Sequence, residues 1–235
     1  MNPFATPKPT DLLPTSTSLL YANLHPILLL SILAFTFPAV VADPVPALLG
    51  LAPTTALLQG LYCVLCLPST GQSPPEEKRK GGEKRKAGKA AGSQDVWAKV
   101  VPTFLSLLLT LLLTTPVLTL TLLLFGAPLT THHPQTLLLA LHLALLTTPP
   151  LYYVHGLTST TWLQLASLQV PIDEVYGMTL GACAGAWVGA VPIPLDWDRE
   201  WQKWPVTVLV GCYGGAVVGK VVGGWVFKGA RVKMA

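Results

Sequence analysis

Two glycine series decide how this chain is read: "GMTLGACAGAWVG" at residues 177–189 and "GCYGGAVVGKVVGG" at residues 211–224. In the first, Gly177, Gly181, Gly185 and Gly189 recur every four residues. In the second, Gly211, Gly215, Gly219 and Gly223 do the same, with Gly214 and Gly224 as additions. Four residues turn an α-helix by about 400°, so each stripe drifts slowly around its helix. Such a drift suits a right-handed crossing near −40°, in which two backbones meet closely. Glycine weakens a helix relative to alanine, so eight glycines in matched registers imply a packing requirement. Lipid offers no hydrophobic drive between helices; close packing and weak CαH···O contacts must supply the attraction. The two stripes either face each other in a glycine-zipper helical hairpin, or one of them accepts a helix from another protein. The sequence leaves both open.

The rest of the chain extends this reading. Of its 235 residues, 51% are hydrophobic and only 11% charged, against about 25% charged in soluble domains. Membrane-spanning helices need about 20 mostly apolar residues. Candidate spans lie near 19–42, 45–67, 100–125, 135–155, 175–191 and 206–227. The expected fold is therefore an all-α integral membrane protein of about six transmembrane helices. Residues 1–18 form a disordered tail, 19–228 the membrane domain and 229–235 a second tail. The first span is long and lacks the layout of a cleavable signal peptide, so it is expected to be retained. Spans 1 to 4 carry Pro26, Pro38, Pro53, Pro116, Pro149 and Pro150 within or near them, each a potential kink.

The charges give an orientation. Residues 76–89, "EEKRKGGEKRKAGK", hold seven Lys/Arg against three Glu. The loop 68–99 and both tails fall on one face of a six-span bundle and carry most of the cationic residues, which makes that face cytoplasmic under the positive-inside rule. The basic loop lacks interleaved aromatics, which argues against a nucleic-acid partner. Cys63, Cys66, Cys183 and Cys212 fall in apolar segments. The single Cys63–Cys66 CxxC has no second ligand pair, so all four are expected as small buried residues, with no metal site and no cofactor. The five histidines are dispersed and read as helix polar contacts or interface residues.

The opposite face, lumenal or exterior, is marked by "PIPLDWDREWQKWP" at 192–205. Asp196, Asp198 and Glu200 alternate with Trp197, Arg199 and Trp201, followed by Lys203 and Trp204. In an extended strand the three acids would share one face and could grip a divalent cation. No nucleophile stands beside a base, and Arg199 and Lys203 lie near enough to neutralise the acids. The tryptophans are expected at the membrane interface. Asp173 and Glu174 suit the N-terminus of span 5 as a cap and a dipole partner. Lys220, alone in span 6, is expected to snorkel toward the cytoplasmic headgroups, or to meet a lipid phosphate or an acid of a partner protein.

The run 190–223, "AVPIPLDWDREWQKWPVTVLVGCYGGAVVGKVVG", closely resembles the signature of the phosphatidylinositol-glycan biosynthesis class F (PIG-F) family, and 173–190, "DEVYGMTLGACAGAWVGA", resembles its fifth span. The match covers about the last third of the chain, and Glu200 departs from it where proline is expected. The resemblance implies a non-catalytic accessory subunit of the endoplasmic reticulum ethanolamine-phosphate transferases, enzymes that add phosphoethanolamine to mannoses of the glycosylphosphatidylinositol (GPI) precursor. It implies a large multi-span catalytic partner that carries the metal site, with membrane lipids such as phosphatidylethanolamine or the GPI precursor nearby. Asp196, Trp197, Asp198, Arg199, Trp201 and Trp204 then become partner or lipid contacts, and the eight glycines helix-packing positions. The tail "RVKMA" resembles a dibasic retrieval signal. Two rivals remain: a transferase with its own lumenal metal site at Asp196, Asp198 and Glu200, and a lipid-binding or lipid-translocating protein built on kinked spans.

Overall fold

The computed structural model describes residues 8–70, 91–128 and 130–231. The basic run 76–89 and most of the C-terminal RVKMA motif lie outside them. Among the described residues the chain is helical throughout, with no strand. Helix α1 spans Ser16–Ala42, α2 Pro44–Cys66, α3 Ala91–Leu109, α4 Thr115–Leu124, α5 His133–His155, α6 Ser159–Ala166, α7 Glu174–Ala190 and α8 Val206–Trp225. A five-residue π-helical segment, Thr110–Thr114, joins α3 to α4, making one continuous rod.

Local chemistry sets these boundaries. Thr15 caps α1 by accepting the Ser18 N–H at 3.2 Å. Asp43 separates α1 from α2: its backbone is extended, its carboxylate accepts the Val45 N–H at 3.3 Å, and Pro44 occupies the first turn of α2. A missing N–H costs least there. The π segment precedes Pro116, whose ring cannot donate to a carbonyl one turn back and crowds it. The Thr115 hydroxyl and N–H both turn to the Thr110 carbonyl instead. The helices continue through Pro26, Pro38, Pro53, Pro149 and Pro150, so only Pro116 changes the helix type. Gly156 ends α5 at φ 63°, a conformation that suits glycine.

Among the described residues five helices are long and apolar enough to cross a membrane: α1, α2, the α3–α4 rod, α5 and α8. The expected fifth span is α7, whose 17 residues extend about 25 Å, short of a hydrocarbon core of about 30 Å. Asp173 caps its start. Pro192 and Pro194 beyond its end supply no N–H to continue the ladder.

Helix α5 is the hub. It packs against α2, α7, α8 and the α3–α4 rod, and 83% of its most apolar window is buried. Helices α7 and α8 run antiparallel in the most extensive helix pair of the molecule, and α1 and α2 pack on one side of it. One end of the bundle gathers both chain ends. The Thr10 N–H donates to Asp173 Oδ2 at 2.7 Å, the Leu13 N–H to the Cys66 carbonyl at 2.8 Å, and Lys228 pairs with Asp11 at 2.7 Å. The Ile172 N–H donates to the Ala230 carbonyl and the Gly229 N–H to that of Ile172, both at 2.8 Å. Residues 8–15, expected as free tail, are therefore tied to the bundle. Backbone donors with fixed acceptors hold them there. Helix α3 also begins earlier than the apolar run that predicts it.

Candidate functional site

The glycine stripes face each other. A Cβ placed on Gly177 would lie 2.4 Å from the Gly219 carbonyl oxygen, one on Gly181 2.1 Å from that of Gly215, and one on Gly185 2.0 Å from that of Gly211. At the far end a Cβ on Gly189 would meet the Thr207 carbonyl at 2.4 Å. These are backbone contacts that no side chain can yield to. Gly214, between the contact positions, has open space around it. Of the two uses left open by the sequence, the stripes are used inside the chain.

This pair carries the loop 191–205. Its backbone turns through Ile193 to Ala190 and Leu195 to Pro192 hydrogen bonds, then a short 3₁₀ segment at Glu200–Gln202. Buried Gln202 donates its side-chain amide to the carbonyls of Pro192 and Leu195, which clamps the loop from within. Trp204 donates to the Thr136 hydroxyl at 3.2 Å and Lys203 to the Ala42 carbonyl at 3.5 Å, tying the loop to the ends of α5 and α1. Trp197 and Trp201 meet edge to face with centroids 5.9 Å apart. Asp196, Asp198, Arg199 and Glu200 stand exposed.

Two expectations for this loop change. The segment is not a strand: Asp198 sits at φ 49° and the 3₁₀ turn follows, so the acids do not share a strand face. Neither Arg199 nor Lys203 forms an ion pair with them; the two ion pairs seen among the described residues are elsewhere. Among the described residues no three His, Cys, Asp or Glu side chains gather as a metal site.

Sequence reasoning missed a charged cluster near the other end of the α7–α8 pair. Lys220 does not snorkel outward. It is 3% exposed and donates to Glu174 Oε2 at 2.9 Å and to the Ala22 carbonyl at 2.8 Å. Its ammonium also stands 4.6 Å from the centroid of the Tyr62 ring. The Tyr62 hydroxyl donates to the same Glu174 oxygen at 3.0 Å. His25 stacks on this tyrosine at 4.6 Å and 17°, and neither of its ring nitrogens has a partner. The snorkelling expectation fails because α1 and α2 cover this face of α8, so the inward acid is nearer than any headgroup. The cluster was within reach of the sequence: pairing Gly177 with Gly219 in antiparallel register sets Glu174 within a turn of Lys220.

A second polar knot lies deeper. His142 on α5 meets the Tyr213 hydroxyl through Nδ1 at 2.8 Å and the Leu48 carbonyl through Nε2 at 3.1 Å, and Tyr213 meets the Thr55 hydroxyl at 2.6 Å. With Nε2 donating to Leu48, Tyr213 donates to Nδ1, and the one Thr55 hydroxyl proton is shared between Tyr213 and the Leu51 carbonyl at 3.0 Å. These bonds join α2, α5 and α8. Cys63, Cys66 and Cys212 are buried as expected, whereas Cys183 is exposed on the outer side of α7, turned away from the glycine contact.

Comparison with known proteins agrees with the motif-level resemblance and extends it to most of the chain. The family model described as "GPI biosynthesis protein family Pig-F" matches residues 24–224. The chain is similar to glycosylphosphatidylinositol anchor biosynthesis protein 11 of Aspergillus fumigatus, at 46% identity over 93% of this chain and 84% of the relative. It is similar to the protein of the same name from Neurospora crassa at 42% identity over 97% and 82%. With that of Saccharomyces cerevisiae it shares 39% identity over 53% and 51%. No solved structure matches it. A helical membrane protein with this glycine-paired terminal hairpin, matched over nearly its full length by GPI-anchor biosynthesis proteins, belongs to the Pig-F family of GPI biosynthesis proteins.

Proposed function

We propose that the chain is a non-catalytic, stabilising subunit of the endoplasmic reticulum ethanolamine-phosphate transferases of GPI-anchor assembly, in which a large multi-span partner carries the catalytic metal site. The observation that carries this reading is the form of the 191–205 loop. It is clamped from inside by Gln202 and anchored at Thr136 and Ala42 through Trp204 and Lys203, yet Asp196, Asp198, Arg199 and Glu200 stand exposed without a partner among the described residues. Such a surface is shaped to be read by another molecule, since fixed and exposed polar groups cost least to bind. The family resemblance supplies the identity of the partner.

In this reading α7 is a sixth crossing. It lies against α8 along its whole length, and the segments 8–15 and 226–231 meet at one end of the bundle, as an even number of crossings requires. The positive-inside rule makes that end cytoplasmic and the loop lumenal. The glycine contact acts as a zipper that fixes the two loop stems. Mild-detergent purification of the tagged chain from endoplasmic reticulum membranes tests the proposal. A large multi-span protein with ethanolamine-phosphate transferase activity should copurify, and charge reversal at Asp196, Asp198 and Arg199 together should reduce its recovery without lowering the amount of the chain. Transfer activity from the purified chain alone would overturn it.

A further inference from the structure

We infer that a groove between α4, α5, α7 and α8 holds one acyl chain of a bilayer phospholipid. The groove measures about 500 Å³ and is lined among others by Leu122, Leu143, Cys183, Ala186, Trp187 and Trp204. That volume falls within the range of small-ligand sites, about 300–1,000 Å³. It runs from Cys183 to Ala190 along α7, about 10 Å at helical rise, and ends beneath the 191–205 loop at Ile193, Pro194 and Trp204.

Three observations select the occupant. The lining is mainly apolar, and apart from the weakly polar Cys183 thiol its polar side chains already have partners: the Thr121 hydroxyl donates to the Val117 carbonyl and the Trp204 indole to Thr136. The site therefore suits a hydrocarbon. The groove is also continuous with the surface that the membrane-crossing helices present to lipid. Its rim merges with exposed Leu124, Phe125, Trp187 and Val191, so the bilayer interface extends into it. Finally, its walls come from four helices and two loops, and the volume equals only a few side chains. A helix about 10 Å across would need roughly 800 Å³ over the same length, so the groove suits a flexible chain. An unfilled apolar slot leaves wall atoms without contacts on one side; a methylene chain supplies them. Since hydrocarbon is equally apolar inside and outside the slot, retention comes from packing. The lipid's polar end would emerge between residues 126–128 and the 191–205 loop. The inference stands apart from the transferase reading, since a lone chain in a bilayer meets its conditions.

The test uses the full chain reconstituted in phosphatidylcholine vesicles that contain a phosphatidylcholine with a diazirine at the tail end. After irradiation, adducts are mapped by peptide mass spectrometry. Residues 118–128 and 183–194 should carry several-fold more lipid adduct than the exposed α3 face at Phe104 and Leu108. Cys183→Trp and Ala190→Phe fill the groove from exposed positions on α7, and either should remove that excess while leaving the α3 label unchanged. Two variants are used so that a folding defect in one, seen as altered elution, does not decide the result. Equal labelling of groove and α3 face, excess that survives both variants, or capture of another protein's helix by a cross-linker on Cys183 in native membranes would overturn the assignment.

Discussion

Two helix pairings in this molecule solve the same problem by opposite means. Helices α7 and α8 meet through backbone, with glycine against carbonyl at four successive levels. The α3–α4 rod meets α5 through hydroxyls: Thr110 with Thr148 and Thr114 with Tyr152, each at 2.9 Å. Only 11% of the rod's most apolar window is buried, against 50% for α8. The rod's outer face, from Phe104 through Leu112 to Leu124, is exposed. In lipid neither pairing gains from the hydrophobic effect, so contact area and polar bonds decide the strength. Glycine contact admits no substitution, because its neighbours are backbone. Hydroxyl contact is local and forgiving, because Thr110 and Thr148 can each bond their own helix instead, at the Ser106 carbonyl (2.8 Å) and the Ala144 carbonyl (3.1 Å).

The largest effect that could break this comparison is at Gly215. A Cβ there would fall 2.1 Å from the Gly181 carbonyl. Gly215→Leu should reach or exceed the top of the range for overpacking, about 1–3 kcal/mol, and appear as loss of monodisperse protein in detergent size exclusion. Its neighbour supplies the control. Gly214 has nothing within 4 Å, so Gly214→Ala should hold or raise the melting temperature, in line with the helix preference for alanine of up to about 1 kcal/mol. Equal damage from both would refute the facing-stripe geometry.

Next in size is the ion pair inside this hairpin, whose Lys220 also bonds Ala22 of α1 and whose Glu174 accepts from Tyr62 of α2. Lys220→Met leaves Glu174 with only the Tyr62 hydroxyl, and removing one partner of a buried pair costs about 3–5 kcal/mol. Glu174 is partly exposed, so the lower part of that range is expected. Adding Glu174→Leu should recover much of the loss, because an apolar pair needs no compensation. Thermal denaturation of the single and double variants decides this. If Lys220→Met melts like the parent chain, the pair does not hold the hairpin.

Smaller effects belong to the rod. Thr110→Val and Thr114→Val should each lower stability by about 0.6 kcal/mol, the usual scale for hydrogen bonds between membrane helices, and together by roughly twice that. Smallest of all, Leu112→Ala on the exposed face should change stability by no more than about 0.5 kcal/mol in detergent. A larger loss there would mean that the rod packs more tightly than its exposure implies.

Much of the fold was legible because membrane solvent imposes simple rules on sequence. Backbone groups must pair within each helix, so long apolar runs locate α1, α2, α5 and α8 to within a few residues. Glycine periodicity revealed α7, which length alone would have missed. The Asp43–Pro44 break and the Asp173 cap could be read because both act within a few residues of themselves. The candidate site was less legible. The 191–205 loop was located by its charges, but the left-handed Asp198 and the clamp by Gln202 depend on carbonyls that only the folded loop brings within reach. Alternation of acids and tryptophans suggested a strand that the short connection between two tightly packed stems does not allow.

The sequence by itself determined the solvent of this protein, the positions of its helices and, through the motif in its last third, its family. Those properties follow from local composition and spacing. Tertiary structure alone decided which faces meet. It turned the glycine stripes toward each other, drew Lys220 inward to Glu174 beneath Tyr62 and His25, and left Cys183 facing a groove open to lipid. Such outcomes rest on contacts between residues far apart in the chain, as with the 46-residue separation of Lys220 and Glu174. They are selected by the packing of all the helices at once.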